Sequence, residues 1–268
     1  MKKVFIQGIV LLVLFFAILF LSKQINWVKI FEVQKFSNKT EKNLGDLLWE
    51  SVKNSEKENK NILVEKVIDS IVNKICDANN IDKIFLKVHI LNKDEVNAFA
   101  MPDGHLVVYS GLILNSDNAS ELAGVLSHEI AHIQLNHVMK KLVKEMGLSV
   151  LISITGGNSG GTVLRETLKT LSSSAFDRNM EREADIKAVD YLLNAKINPE
   201  PLANFLYKIS RNENESSKYF KWISTHPDSK ERAEYIIEYS RNKNEDFKNV
   251  ISDNSLKRIK EVLKNTEE

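Results

Sequence analysis

The chain has 268 residues, of which 43% are hydrophobic and 27% are charged, so it can bury the core of one ordinary globular domain. A formal net charge of +1 lacks the basic excess of nucleic-acid-binding proteins, which argues against nucleic acid as a partner. Cys76 is the single cysteine, which excludes an internal disulfide and a thiolate zinc cluster, so any metal must be bound by His, Asp or Glu.

An apolar run from Val4 to Leu21 follows the leading "MKK". Its length is close to the roughly 17–25 residues that span a hydrocarbon core. No small-residue cleavage site and no lipid-accepting cysteine follow it, so we predict an uncleaved transmembrane signal anchor over residues 1–22. The distribution of lysines around the run favours a cytoplasmic N-terminus. We therefore expect a single-pass protein of the cell membrane whose body lies outside the cytoplasm.

The region after the anchor is polar and rich in lysine, and we interpret residues 23–60 as a juxtamembrane connector that leads into a domain over residues 61–268. A helical period of apolar residues begins at Asn61. The runs "KIFLKVHIL", "EVNAFAM" and "HLVVYSGLI" are short and β-rich, and a "PDG" turn separates the last two. They predict a small antiparallel sheet.

Helical spacing returns at about Asn118 and continues to about Glu145, with Asp117 or Asn118 suited to cap the helix. The segment "GLSVLISITGGNSGG" is too short to cross a bilayer alone, and a loop-flanked helix, a hydrophobic segment near the site and a re-entrant membrane contact are its alternatives. The chain after Thr162 reads as helices joined by short breaks. The predicted fold class is α+β, mostly helical, with a small antiparallel sheet and one preceding transmembrane helix.

The motif "HEIAH" within this helix is the strongest signal for chemistry. Residues four apart on an α-helix differ by about 40° of rotation and about 6 Å of rise, so His128 and His132 can share one ion, and zinc suits two imidazoles. Glu129 lies about 100° from His128, where a carboxylate can take a proton from a metal-activated water. A bare motif of this kind equally suits an amphipathic helix whose histidines are structural.

A catalytic zinc needs a third protein ligand, and the segment "NMEREADIKAVDYLL" supplies candidates. Glu181 and Asp185 fall on one helix face, so Glu181 can bind the metal while Asp185 orients a ligand imidazole. Glu183 points away and reads as a solvated charge. His137 lacks the metzincin spacing for a third ligand, and we assign it to helix-surface or lid contacts.

Four motifs occur in one order along the chain: "NAFA" from Asn97, HEIAH, the E-x-x-A-D of Glu181 to Asp185, and His226-Pro227. From about Ile62 to Tyr235 the chain resembles the gluzincin family of membrane-associated zinc metallopeptidases that includes the CAAX prenyl protease, HtpX-like, Oma-like and BepA-like enzymes. A zincin-type protease fold is what the resemblance implies.

The resemblance implies one zinc ion per chain, with His128, His132 and Glu181 as ligands. It implies Glu129 as general base and proton donor, and Asp185 as the residue that orients a ligand.

By the same resemblance, His226 either stabilises the oxyanion of the tetrahedral intermediate or caps the resting metal. The remaining implication is that Asn97, Ala98, Phe99 and Ala100 form an edge strand that binds an extended peptide, as exposed strand edges do.

Two departures from the family pattern stand out in this sequence. Many relatives carry a glycine pair after the proline, where this chain has Asp103-Gly104. The several long spans of the CAAX prenyl and HtpX branches are also missing, which argues against a prenylated substrate. A single anchor resembles the Oma-like and BepA-like branches, which act in protein quality control.

We therefore predict a membrane-anchored zinc metalloendopeptidase that acts on unfolded or membrane-associated polypeptides, with activity falling below about pH 6.5 as the histidine ligands protonate. The alternative from another class is a membrane-tethered chaperone or binding module that keeps a structural zinc and does not cut. A multispan-type prenyl-protein protease is a second alternative.

Overall fold

The computed structural model describes residues 38–156, 161–211, 219–241, 243 and 246–265, together with positions 7, 12, 15 and 16 near the N-terminus. The chain divides into two units, Met1–Ser37 and Asn38–Glu268. Among the described residues, no helix has both the length and the apolar character to cross a membrane. Most of the anchor predicted over residues 1–22 lies outside the described residues.

Helices make up most of the second unit. The described helices are α1 Asn38–Ser55, α2 Ile62–Ala78, α3 Ser110–Asn115, α4 Ala119–Gln134, α5 His137–Met146, α6 Leu148–Thr155, α7 Gly161–Ser173, α8 Arg178–Asn194, α9 Glu200–Ser210, α10 Phe220–Thr225, α11 Ser229–Ser240 and α12 Asp253–Lys264. The strands are β1 Lys87–Leu91, β2 Ala98–Ala100 and β3 His105–Tyr109. These assignments confirm the predicted order of a helix, a small sheet and then helices.

The sheet is mixed rather than antiparallel, which corrects the sequence prediction. Its strand order is β1-β3-β2, with β3 antiparallel to β2 and parallel to β1. The turn between β2 and β3 forms the expected hairpin. Residues 92–97, however, lead from β1 to β2 at the opposite edge of the sheet and leave the position beside β1 for β3. The Ser110 hydroxyl fixes this crossover, since it accepts from the Lys93 N–H and donates to the Lys93 carbonyl, both at 2.8 Å. β3 therefore inserts between β1 and β2.

Helix α4 forms the centre of the core. Asn118 caps it by accepting a hydrogen bond from the Glu121 N–H at 2.9 Å, which confirms one of the two predicted caps. Helices α2, α8 and α9 and strand β2 pack around α4. At Gly124 a Cβ atom would lie 2.7 Å from the Leu202 Cβ, so the absence of a side chain allows α9 to approach closely. This burial holds the HEIAH motif rigidly in the interior.

The long helix predicted to reach about Glu145 is instead two helices. The break falls at Leu135 and Asn136, and Asn136 adopts a left-handed φ of 58°. Asparagine tolerates this conformation better than most residues, which explains why the chain can turn there. Helix α5 therefore starts in a new direction at His137.

Helix α1 lies within residues 23–60, the segment predicted to be a juxtamembrane connector. It belongs to the second unit, and Leu44 and Leu48 are completely buried. At Gly45 a Cβ would lie 2.5 Å from the Pro102 carbonyl oxygen, so α1 packs tightly on the turn between β2 and β3. The predicted hydrophobic segment after Gly147 forms α6, and residues 157–160 of the glycine-rich run lie outside the described residues.

Candidate active site

Helix α4 places the three functional residues of HEIAH in the interior. His128, Glu129 and His132 are all 0% exposed. The Nε2 atoms of His128 and His132 face each other at 2.9 Å, as the four-residue spacing predicts. The two imidazoles therefore present one nitrogen each to the same point.

Glu181 and His226 complete the cluster from two other parts of the chain. Glu181, in the first turn of α8, places Oε1 3.3 Å from the His132 Nε2 and Oε2 3.6 Å from the His128 Nε2. His226 follows α10 and places Nδ1 3.0 Å from the Glu181 Oε1. One ligand atom from each of the four residues lies within 4.8 Å of the others. Residues separated by almost a hundred positions thus converge.

Asp185 and Arg232 support this cluster from behind. The Asp185 Oδ1 lies 2.8 Å from the His128 Nδ1, the contact expected of a residue that orients a ligand imidazole. The buried Arg232 donates from Nε and Nη2 to the two Asp185 oxygens, each at 2.8 Å, and its Nη1 pairs with Glu181. Tyr235 also donates to Asp185. Arg232 thereby binds both carboxylates of α8 at once.

His137 is buried beside His132, which is closer to the site than the predicted helix-surface or lid position. It is 0% exposed, and its Nδ1 lies 3.1 Å from the His132 Nδ1. Its Nε2 lies 3.2 Å from Glu183, a residue that is largely exposed but contacts this imidazole. The turn at Asn136 brings the ring back to α4. His137 is placed to orient His132 as Asp185 orients His128.

Two aromatic rings stack on imidazoles of the cluster. Phe176 stacks on His132 with ring centroids 4.1 Å apart, and Trp222 stacks on His226 at 4.3 Å. Both aromatic side chains are buried. The site is therefore shielded from water on these sides.

The donor set fits a zinc ion. Two imidazole nitrogens and a carboxylate are ligands that zinc takes in catalytic sites, and the second nitrogens of His128 and His132 are already engaged by Asp185 and His137. Two Nε2 atoms only 2.9 Å apart cannot both be protonated without repulsion, so the arrangement suits a shared cation. His128, His132 and Glu181 would hold the ion, with His226 beside them.

Comparison with known proteins assigns the chain. Residues 63–240 match the family described as peptidase family M48, and this span includes the cluster and both motifs of its helices. The chain belongs to peptidase family M48. The expected resemblance to the gluzincin family of zinc metallopeptidases is therefore confirmed.

Individual relatives of this M48 peptidase carry protease names. The beta-barrel assembly-enhancing protease of Escherichia coli K12 is 28% identical over 205 residues, covering 69% of this chain and 42% of that protein. Metalloprotease LoiP of the same organism is 31% identical over 179 residues, covering 64% and 68%. The mitochondrial metalloendopeptidase OMA1 of Bos taurus is 26% identical over 196 residues, covering 68% and 38%. The chain thus spans about two fifths of the length of several relatives that it matches.

The two glutamates of the M48 site have opposite electrostatic environments. Burial, reinforced by the charge of Glu181, raises the pKa of Glu129 well above its ordinary value. Burial also acts on Glu181, but the charges of Arg232 and His226 outweigh it and hold its pKa well below the ordinary value. Burial lowers the pKa of His132 to about 3, so its imidazole stays neutral and able to bind a cation well below the pH of about 6.5 at which the sequence predicts that the ligands protonate. Glu181 suits a permanent ligand and Glu129 suits proton exchange.

Strand β2 occupies the sheet edge that faces α4. The Ala100 N–H donates to the Glu129 Oε2 at 3.0 Å, so the side of β2 that does not pair with β3 points at the site. Ala98 and Phe99 precede it, and all three strand residues are buried. Both polar atoms of the Asn97 amide are buried without a hydrogen-bond partner in the described part of the chain. β2 thus lies at a sheet edge but covers only Ala98–Ala100 of the four predicted residues, and peptide binding there stays a prediction.

The described residues enclose the site in this conformation. Helix α7 packs against β2, α5 and α10. The cavity that reaches Glu181 and Arg232 from the surface has a volume of about 160 Å³, below the roughly 300 Å³ of small ligand pockets. A polypeptide substrate therefore requires the protein to open beside β2.

Sequence reasoning missed Arg232 and His137 as parts of the site. Arg232 lies six residues after His226, in the run "STHPDSKER", but the helical spacing carries no sign that its guanidinium turns inward. The spacing of His137 fits no ligand motif. Its contact with His132 depends on the helix break, which a pattern of apolar residues does not reveal.

Proposed function

We propose that this M48 peptidase is a zinc metalloendopeptidase, anchored in the cell membrane by residues 1–22, that hydrolyses unfolded or membrane-associated polypeptides in protein quality control. The observation that carries the proposal is the convergence of His128, His132 and Glu181 on one point, with Glu129 beside it. A structural zinc would not need a buried glutamate that leaves one oxygen facing the cluster.

Glu129 is the general base in this mechanism. When bound, zinc acts as a Lewis acid that polarises the scissile carbonyl and lowers the pKa of water. The Ala100 N–H holds the Glu129 Oε2, while Oε1 has no hydrogen-bond partner among the described residues. Oε1 is therefore the atom that takes a proton from the attacking water and later gives it to the leaving amine.

His226 stands across from this oxygen. Its Nε2 lies 3.4 Å from the Glu129 Oε1, and its Nδ1 lies 3.3 Å from the His128 Nε2. In this closed conformation Nδ1 faces the ligand cluster, which supports a role in capping the resting metal. After opening, the same ring can donate a hydrogen bond to the oxyanion of the tetrahedral intermediate.

The substrate and location follow from β2, the N-terminal segment and the relatives. An extended peptide that pairs with Asn97, Ala98, Phe99 and Ala100 is recognised through its main chain, so the substrate needs to be unfolded more than it needs a particular sequence.

The large apolar side chains of Leu12, Phe15 and Phe16 are each more than half exposed, as expected for a segment whose partner is lipid. We place the catalytic domain outside the cytoplasm because the lysine distribution favours that topology.

A paired assay of zinc content and casein cleavage tests the proposal on the full chain in detergent micelles. Glu129→Gln keeps the ligands and removes the base, so it should bind one zinc per chain and lose cleavage by at least about 10²-fold. Glu181→Ala should lose both zinc and cleavage. Absence of cleavage by the wild type would favour a non-proteolytic binding module, equal cleavage by the wild type and Glu129→Gln would refute Glu129 as the base, and unchanged zinc content in Glu181→Ala would refute the ligand set.

A further inference from the structure

Two neighbouring apolar side chains, Ile84 and Phe85, project from the short 3₁₀ turn Lys83–Phe85 that joins α2 to β1. We call this pair the apolar tip. Ile84 is 83% exposed, more than any other large apolar side chain that the structure describes, and Phe85 is 65% exposed. The Asp82 side chain accepts from the Ile84 N–H at 2.9 Å, and the Leu86 N–H donates to the Lys83 carbonyl at 2.9 Å. These hydrogen bonds fix the backbone of the tip, so the ordered turn itself holds the two apolar side chains in an exposed position.

The apolar tip lies at the end of the second unit where α1 begins. At Gly104 a Cβ would meet the Phe85 carbonyl oxygen at 1.7 Å, so the tip packs directly on the turn between β2 and β3. That turn packs on the first half of α1, because Glu41 accepts from the Asp103 N–H at 3.3 Å and Gly45 contacts Pro102. The tip, the turn and the start of α1 are successive neighbours.

The length of chain before α1 limits where the domain can sit. Between the end of the predicted anchor at residue 22 and the start of α1 at Asn38 lie 15 residues, 23–37, which reach at most about 50 Å when extended. The exposed Lys83 stands beside the apolar pair, and a lysine stem next to apolar side chains is typical of contacts at the headgroup level. A tether of this length keeps the domain within reach of the bilayer, and the composition of the tip suits a bilayer interface.

We propose that the apolar tip inserts into the interfacial region of the lipid bilayer that holds the N-terminal anchor, an inference that rests on the proposed anchoring. The consequence for function concerns β2. Its Ala100 end leads into the turn that supports the tip, so this end of the substrate strand faces the bilayer. A polypeptide emerging from the membrane surface then reaches β2 without crossing the domain.

Fluorescent probes on the full chain test the tip. Ile84→Cys and Phe85→Cys are labelled with an environment-sensitive thiol dye and reconstituted in vesicles of phosphatidylcholine and phosphatidylglycerol that contain a nitroxide-labelled lipid. Ile62→Cys is the matched control, because Ile62 is also 65% exposed but begins α2, whose other end leads to the tip. The native Cys76 is completely buried, and burial raises the pKa of its thiol to about 11, so it stays unlabelled.

We expect nitroxide lipid to quench the probes at positions 84 and 85 severalfold more than the probe at position 62. Equal quenching at the three positions in protein that floats with the vesicles would overturn the tip contact while the anchoring stands. Failure of the full chain to float would overturn the anchoring and this inference together. A blue shift that depends on protein concentration and not on lipid would instead indicate a second copy as the partner, and would also overturn the proposal.

Discussion

Arg232 is a buried charge that holds the metal site together. Its guanidinium donates to both oxygens of Asp185 and pairs with Glu181, so one cation neutralises two buried carboxylates. The charge of Arg232 is the main influence that opposes burial and holds the pKa of Asp185 below its ordinary value. Removing one partner of such a group leaves uncompensated charge in the interior, which costs far more than losing a surface pair.

Arg232→Met should therefore destabilise the metal-free protein by about 3–5 kcal/mol. Zinc should restore part of this loss, because it would neutralise Glu181. Thermal unfolding of the full chain with and without zinc measures both effects. Arg178→Met is the control, since Arg178 pairs with Asp228 at the surface and its side chain is 78% exposed, so it should change stability by less than about 1 kcal/mol. Equal shifts for the two variants would contradict the proposed role.

His137 is expected to act on zinc through His132. Its ring contacts the His132 Nδ1 at 3.1 Å, and loss of such a partner typically weakens metal affinity by about 10–100-fold. We predict that His137→Leu shows this loss in a competition assay with a zinc chelator, and that His137→Gln, which keeps a hydrogen-bonding side chain, restores part of it. Glu183→Gln changes only an exposed partner of His137 and should stay near the wild type. Unchanged affinity in His137→Leu would show that the contact is packing alone.

At the residue scale, local spacing made part of the site predictable. His128 and His132 follow from the geometry of one helix, and that geometry is the same in any fold. Arg232 and His137 become site residues only through tertiary contacts. Residue spacing therefore predicts which side chains share a face within one helix or strand. It does not predict contacts across a backbone turn such as the one at Asn136.

At the element scale, the sheet shows the same limit. The alternating runs predicted three strands in the correct segments, but only the crossover 92–97 decides that β1 pairs with β3 in parallel. The run "KIFLKVHIL" illustrates a second effect. Its first part forms the 3₁₀ turn of the apolar tip, because Asp82 caps that turn, and only Lys87–Leu91 enters the sheet. Turn chemistry here outweighed the β-propensity of the side chains.

The first residue of β3 belongs to a second group of titratable residues, apart from the metal site. His105 is 2% exposed, with Nδ1 2.9 Å from the His89 Nε2 and Nε2 3.1 Å from the Lys87 Nζ. Trp49 of α1 stacks on His89 with ring centroids 3.5 Å apart. Burial, with the charge of Lys87, lowers the pKa of His105 to about 4. This group joins α1 to the sheet.

Acid should loosen this junction. The unfolded chain binds a proton at His105 near pH 6.5, whereas the folded chain binds it only near pH 4, so between these values the unfolded state carries more protons and stability falls as pH falls. The shift corresponds to at most about 3.4 kcal/mol. His105→Gln should reduce the slope of unfolding free energy against pH between 6.5 and 4, measured on zinc-free protein by denaturant titration. An unchanged slope would contradict the assignment.

At the scale of the whole molecule, composition and element order were enough to predict an α+β domain. The sequence did not predict that α1 packs on the domain. Its buried Leu44 and Leu48 lie among lysines and glutamates, a composition that is typical of a solvated connector. A lysine-rich helix can pack one narrow apolar stripe on a domain and remain polar elsewhere. The second unit accordingly begins at Asn38.

The proposed anchor makes a prediction about the full chain. A lysine near the centre of a transmembrane helix costs about 2.5–3.5 kcal/mol in insertion, and near the end its stem reaches the headgroups at little cost. Leu12→Lys combined with Phe16→Lys places two charges near the centre of the run, whereas Gln7→Lys with Gly8→Lys adds the same charge near the leading lysines. After an alkaline wash of membranes, the wild type and the end variant should stay in the pellet and the central variant should be released. Release of the wild type under the same wash would show that residues 1–22 do not span the bilayer, and equal retention of both variants would show that another part of the chain holds the protein there.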